Sequence, residues 1–220
     1  QRRLTLITQN SLGALKNSDI PSLNKIKKIF KTPIKGDGLL PLMALVKDRK
    51  QKILWLADES CEVVIDLTIA KFLADLGHAV IFAVKESPFL KKVCIADTRT
   101  DPVLVKILEN AHFIYEKTIS KNNLVKLLKH DKNIYVVSDG TRESLNLLLV
   151  STTFSRIFKE VDCVISRGKA QKERLIDSHF RFTQNIINIS IDKNQLLITY
   201  KSKHPGFIKF SHKDLEEKAN

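Results

Sequence analysis

Only three cysteines occur in the chain, Cys61, Cys94 and Cys163, odd in number, widely spaced and set in apolar surroundings. That pattern excludes a disulfide framework and a cysteine-rich zinc site, and it leads us to expect reduced core thiols in a cytoplasmic protein. The histidines, His78, His112, His130, His179, His204 and His212, show no metal-ligand spacing either. No apolar run approaches the roughly 20 residues of a membrane span. The Arg2-Arg3 pair is followed by an apolar stretch too short for a signal peptide and without a cleavage pattern. Internal repeats and low-complexity segments are absent. The first residue is Gln1 rather than Met, so we expect residues before it.

What is present is enough for a folded core. A chain of 220 residues, 43% hydrophobic, buries roughly 70% of its unfolded surface, which suits one robust domain with a small appendage. Charge is uneven: residues 1–50 hold 11 Lys/Arg against 3 Asp/Glu, and residues 51–220 hold 26 against 21. The segment Lys25-Ile26-Lys27-Lys28-Ile29-Phe30-Lys31 is basic and amphipathic. Such a stretch suits nucleic acid, an anionic membrane or an acidic partner. It equally suits a solvated helix face with Leu23, Ile26, Ile29 and Phe30 turned inward. Neither exposed aromatics nor a groove-reading motif accompanies it, so nucleic acid is possible as a partner but not favoured.

The chain divides near residue 50. Residues 1–35 read as two short helices broken at Pro21 and Pro33, with a turn at Lys35-Gly36-Asp37-Gly38 and a short apolar helix over 39–46. We therefore expect a basic helical N-terminal segment at 1–50 and an α/β domain at 51–220. From Ile53 onward, buried apolar runs alternate with helix-spaced segments: strands near 53–57, 79–84, 112–115, 134–138 and 163–165, and helices near 63–76, 102–109, 121–130, 143–158 and 172–177. Residues 186–191 and 196–200 read as an antiparallel pair, a C-terminal β-hairpin. Repeated βα units imply a mostly parallel, Rossmann-like sheet with helices on both faces.

Three loops leave the carboxyl ends of these strands carrying unusual chemistry. The first, Ala57-Asp58-Glu59-Ser60-Cys61-Glu62, puts adjacent carboxylates where open α/β sheets bind ligands and metals. Two such charges at a largely buried strand end are costly unless a cation or strong donors meet them. Helix capping by Asp58 or Ser60, with Glu62 favoured by the helix dipole, accounts for one acid better than for both. The second loop, Ser138-Asp139-Gly140-Thr141-Arg142-Glu143, offers a hydroxyl, a guanidinium and a helix start to an oxyanion such as phosphate. It is also compatible with a plain turn capped by Asp139 or Thr141. The third, Ser166-Arg167-Gly168-Lys169-Ala170-Gln171, repeats the pattern of strand, basic residue, glycine and helix. Asp58, Asp139 and Arg167 are expected around one cleft at one sheet edge.

These residues resemble a known family. The segment from Ala57 to Glu62 is similar to the Asp-Asn-x-Gly-Glu box of the metal-dependent damage-control phosphatases, long catalogued as a domain of unknown function. Ser87-Pro88-Phe89-Leu90-Lys91-Lys92-Val93-Cys94-Ile95-Ala96-Asp97 falls where that family has Gly-Pro-x-x-Asn-Asp-x-Thr-x-x-Asp. The segment from Asp162 to Leu175 resembles its Asp-x-x-x-x-Lys-Gly-x-x-Asn-x-Glu-x-Leu run. The resemblance covers about residues 50–190, and it makes the N-terminal part the remnant of a variable helical cap. It implies a three-layer α/β/α sandwich, a divalent cation (Mg, Mn, Co or Ni) and hydrolysis of sugar phosphates or damaged phosphometabolites.

The departures from that pattern matter as much. The family's three metal positions fall on Asp58, Glu59 and Lys92, with Lys91 in place of the neighbouring Asn, and its phosphate-gripping Lys is matched by Arg167. A charged Lys ammonium is no ligand, but it can stand in the cation's place beside Asp58 and Glu59. A site of Asp58 and Glu59 completed by Asp139 or Asp97 is the alternative. The leading expectation is a divergent phosphatase acting on a small phosphorylated metabolite. In it Asp58, Glu59 and Arg167 are catalytic, and Thr141, Arg142, Arg167, Gly168 and Lys92 bind substrate. A catalytically degenerate phosphate-binding protein of the same fold and a nucleic-acid-associated protein are the competitors.

Overall fold

In the computed structural model the described residues are 33–47, 50–58, 62–129, 134–192 and 195–204. The expected helices before Pro33 and the basic stretch at 25–31 lie outside them, as do Glu59 and Cys61. Seven strands form one sheet: β1 (Lys52–Leu56), β2 (Ala79–Val84), β3 (His112–Ile114), β4 (Ile134–Ser138), β5 (Cys163–Arg167), β6 (Asn185–Asp192) and β7 (Gln195–Lys201). Their order is β3-β4-β2-β1-β5-β6-β7. The first six run parallel, and β7 pairs antiparallel with β6 from Ile186↔Lys201 to Asp192↔Gln195.

The layers follow from strand periodicity, since successive side chains point to opposite faces. On β1, Ile53 and Trp55 enter one core with Val80, Phe82, Val136 and Ile165. Helix α2 (Val63–Asp75) covers that face with Leu67, Ala70 and Leu73, assisted by α4 (Pro102–Ile107) through Leu104. Leu54 and Leu56 enter the opposite core with Ile81, Tyr135, Val137 and Val164. There the cover is α5 (Lys121–Leu127), α6 (Thr152–Glu160) and α7 (Lys169–Leu175), through Leu124, through Phe154 and Ile157, and through Leu175. Burial on both faces is why these strands read as continuous apolar runs. The thiols of Cys94 and Cys163 are free and buried, and burial pushes that of Cys163 up to about 12. No helix among the described residues is long and apolar enough to cross a membrane.

Residues 33–47 are packed onto this sheet. Lys35 and Gly38 bond to β7 through Lys35 N–H to Leu196 O at 2.9 Å, Ile198 N–H to Lys35 O at 2.9 Å and Gly38 N–H to Ile198 O at 2.9 Å. Helix α1 (Leu39–Lys47) buries Leu45 in the core that α2 covers.

Two expectations need correction. A four-residue helix, α3 (Asp97–Thr100), was not foreseen. The helix expected over 143–158 is shorter and later: residues 143–150 are irregular with one turn at 147–149, and α6 starts at Thr152 with the Ser151 hydroxyl accepting the Phe154 N–H at 3.1 Å. Local competition explains the difference. The Asn146 side chain accepts the Leu148 N–H at 3.1 Å, a turn that displaces helical bonding. Ser151 N–H donates to Asp139 O at 2.9 Å, folding the loop back on the end of β4. That closure needs Gly140, whose φ is +79° and where a Cβ would lie 2.6 Å from Ser151 Cβ and 2.7 Å from its backbone nitrogen. We predict that Gly140→Ala lowers stability by at least about 1–3 kcal/mol from the backbone conformation alone. A denaturant melt checks this, and an unchanged midpoint would show that the loop opens without loss.

Candidate functional site at the carboxyl edge of the sheet

From β1 the chain moves to β2 on one side, and β5 is added later on the other side of β1. This reversal leaves a crevice outside the carboxyl ends of β1 and β5, where open α/β sheets bind ligands. Asp58 stands there two residues beyond β1, and Gly168 faces it as the residue after β5. Gly168 has φ +82°, and a Cβ on it would come 3.0 Å from Asp58 Oδ2. Glycine is what lets the two strand ends approach so closely.

Lys92 reaches the same place on the loop after β2. Lys85 N–H donates to Val93 O at 3.0 Å and Ile95 N–H to Lys85 O at 2.9 Å, while Val93 N–H reaches Asp58 O at 3.3 Å. Those bonds lay residues 92–95 across the ends of β1 and β2, and the Lys92 ammonium donates to Asp58 Oδ1. The pair is partly accessible, with side-chain exposures of 26% for Lys92 and 14% for Asp58. Burial first, then the guanidiniums of Arg174 and Arg167, hold the Lys92 pKa below the usual lysine range.

A second cation closes the end of β2. Lys85 Nζ lies 2.5 Å from Asp139 Oδ2 and donates to Thr141 Oγ1 at 2.9 Å. Thr141 N–H and Oγ1–H donate to Asp139 Oδ1 at 2.8 and 3.0 Å, so both carboxylate oxygens are engaged in a buried cluster. Beside it, Ser138 Oγ–H donates to Glu86 Oε2 at 2.6 Å. That bond and Lys117 lower the Glu86 pKa, with a smaller contribution from exposed Arg142.

Arg167 is the third cation. The family resemblance implies a phosphate-gripping role for it; in the structure it is only 1% exposed and lies on the α2 side of the sheet. There Nη1 donates to Asp66 Oδ1 at 2.5 Å, and Nη2 lies 2.6 Å from Glu62 Oε2, off the hydrogen-bonding line. Its guanidinium is held between two buried carboxylates. Two acids against one base leave the cluster one negative charge in excess, which the Trp55 indole beside Asp66 offsets least of the groups acting on it. Burial, offset by Arg167 and reinforced by Glu62, raises the Asp66 pKa from 3.8 to about 7. Asp97 caps its own turn by accepting the Cys94 N–H at 2.8 Å.

A family model for the damage-control phosphatase ARMT1-like domain matches residues 9–205. The chain belongs to this family. A solved DUF89 family protein of Pyrococcus horikoshii shares the fold, with a TM-score of 0.56 and 21% identity over 79% of this chain and 55% of that one. The chain thus spans about half the length of that solved relative. No curated protein matches it. Membership supports a phosphatase-type function in general and a mostly parallel α/β architecture with the β6–β7 hairpin.

Damage-control phosphatases are in general metal-dependent, so the donor set is the next question. Among the described residues no three His, Cys, Asp or Glu side chains group as a metal site would need. Asp58 is met by Lys92, Asp139 by Lys85 and Thr141, and Asp97 by its own turn, while Glu59 lies outside the described residues. A hard divalent cation needs several free oxygen ligands, whereas Asp58 and Asp139 face ammonium groups and Asp97 accepts a backbone N–H. The described residues do not fit a divalent cation.

Sequence reasoning missed Lys85 and the Glu62–Asp66 clamp. Both had signals: a lysine placed directly after a fully apolar strand, and two acids four residues apart at a helix start, on one face. The clamp makes a pH prediction. Asp66 binds its proton more tightly folded than unfolded, so its contribution is complete below about pH 3.8 and is lost as pH rises through about 7. Unfolding free energy of the wild type relative to Asp66→Asn should therefore fall between those pH values. Parallel pH profiles for the two proteins would show that Asp66 does not carry that proton.

Proposed function

We propose that this chain is a metal-independent phosphate-binding member of the damage-control phosphatase family, with Lys92 in the place of the divalent cation. The observation that carries the reading is the Lys92 ammonium on Asp58 Oδ1, at the crevice between β1 and β5. An ammonium there neutralises the strand-end acid and keeps a positive charge beside the crevice, to which Arg174 adds a second. Such charges hold a phosphate as point donors. They do not supply the Lewis acid or the activated water by which a metal ion promotes phosphoryl hydrolysis. Holding a phosphorylated small molecule is accordingly the activity proposed, with exposed Arg142 on the neighbouring loop as a further candidate for contact.

Family membership favours a competing reading, a phosphatase that hydrolyses a small phosphorylated metabolite. It needs Asp58 and Glu59, completed by Asp139 or Asp97, to recruit Mg²⁺, Mn²⁺, Co²⁺ or Ni²⁺ after Lys92 withdraws.

One set of melts separates the two. We expect millimolar Mn²⁺ or Mg²⁺ to leave the wild-type melting temperature unchanged. Lys92→Asp should be less stable without metal, because it sets a second carboxylate against Asp58. It should then gain from Mn²⁺, by about 2.7 kcal/mol once the metal reaches a hundred times its Kd. Lys92→Met separates loss of the ammonium from gain of a ligand. A wild type that is stabilised by Mn²⁺ as strongly as Lys92→Asp, and that releases phosphate from an ester, would establish the phosphatase instead.

A further inference from the structure

A cleft of about 520 Å³ opens beside the Lys92 loop, between residues 143–147 and the end of α7. Its size lies within the roughly 300–1,000 Å³ range of small-molecule sites. Phe89 and Phe180 supply aromatic rings to its wall, and Leu145, Leu147 and Leu175 supply aliphatic surface. Two of its lining residues tie it to the proposed phosphate site. Phe89 pairs with Lys92 as an antiparallel bridge, its carbonyl accepting the Lys92 N–H at 2.9 Å. Arg174, also in the lining, is near enough to act on the Lys92 ammonium.

The surroundings are more apolar than solvent exposure favours. Leu90 and Leu148, exposed at 85% and 81%, are the most exposed large hydrophobic side chains among the described residues, and Phe180 is exposed at 52%. Leu90 and Leu148 each adjoin a lining residue in sequence, Phe89 and Leu147. Leu90 also holds the one positive φ of a non-glycine residue among those described, +50°. Concentrated apolar exposure at a concave surface, with cations at hand, is the signature of a ligand with an apolar body and an anionic group.

We propose that this cleft holds the aromatic or aliphatic body of an organic phosphomonoester whose phosphate is met by Lys92 and Arg174. The proposal rests on the phosphate-binding reading above and narrows it. It favours esters of apolar alcohols over sugar phosphates, since Phe89, Phe180, Leu145, Leu147 and Leu175 give a sugar's hydroxyls no partners and leave only Ser144, Asn146 and Ser178 as neutral groups to meet them. Exposed Glu143 in the lining also disfavours a carboxylate on the body.

Calorimetric titration with three probes tests this: 1-naphthyl phosphate, ribose 5-phosphate and inorganic phosphate. Wild type should bind 1-naphthyl phosphate about tenfold more tightly than ribose 5-phosphate. Phe180→Ala, and independently Leu147→Ala, should weaken 1-naphthyl phosphate about fivefold, the scale of a lost ring or aliphatic contact, with inorganic phosphate within about twofold. Lys92→Met and Arg174→Gln should weaken all three probes. Equal affinity for the naphthyl and ribose esters, or wild-type affinity for 1-naphthyl phosphate in both cleft variants, overturns the cleft assignment and leaves the phosphate site standing. Unchanged affinities in Lys92→Met and Arg174→Gln overturn the phosphate site itself. No binding of any probe at millimolar concentration overturns both.

Discussion

Six parallel strands bring their carboxyl ends, and several acidic side chains, to one low-dielectric rim, and that accumulation of negative charge has to be neutralised. Uncompensated carboxylates at such positions cost several kcal/mol each. This chain meets them with its own cations. Lys92 is on Asp58, Lys85 on Asp139, and Arg167 lies between Glu62 and Asp66. The three clusters sit on β2, β4, the β1–β5 crevice and the start of α2, so they tie the sheet to its loops and to one helical layer. Much of the loop geometry follows from them: residues 92–95 lie over the strand ends, residues 138–151 fold back on themselves, and Gly168 approaches Asp58.

The same arrangement bears on chemistry. A divalent ion and a pair of ammonium groups are alternative answers to one electrostatic problem, and they differ in what they offer a substrate. A metal supplies open coordination positions and a water of lowered pKa; a lysine supplies hydrogen-bond donors and charge. On the resemblance that aligns Lys92 with the family's third metal position, the proposed site offers an anion charge and donors and lacks the means of hydrolysis. The fold does not decide between these outcomes, since one architecture carries many activities and function is argued from the site.

The sheet was legible in the sequence because burial on both faces writes strands as plain apolar runs: 79–84 and 134–138 were read to the residue. Segment 143–158 was misread because its leucines carry helical spacing, while the Asn146 turn and the Ser151 cap are bonds that spacing does not encode. At the candidate site, residue types and strand ends indicated which groups share a rim. They did not indicate partners. The family resemblance implies a phosphate-gripping role for Arg167, and nothing local in the sequence shows its partners. Period two along β5 in fact turns it, like Cys163 and Ile165, toward α2, where Glu62 and Asp66 wait. Pairing across 101 residues of sequence, as for Arg167 and Asp66, is a property of packing rather than of local pattern.

Accessibility ranks the three clusters. The Arg167 clamp and the Lys85–Asp139–Thr141 cluster are enclosed, and breaking an enclosed pair typically costs about 3–5 kcal/mol, too much for a ligand to exchange at each binding event. Lys92 and Asp58 retain side-chain exposures of 26% and 14%, so water screens the pair and the cost of loosening it is smaller. Lys92 is also held by a turn through the strained Leu90 rather than by a regular element. On the phosphate-binding proposal, a cation that is partly wet, loop-borne, pressed below its usual pKa and beside an apolar cleft is the one placed to trade a carboxylate for a phosphate. The two enclosed clusters hold the rim in shape while it does so.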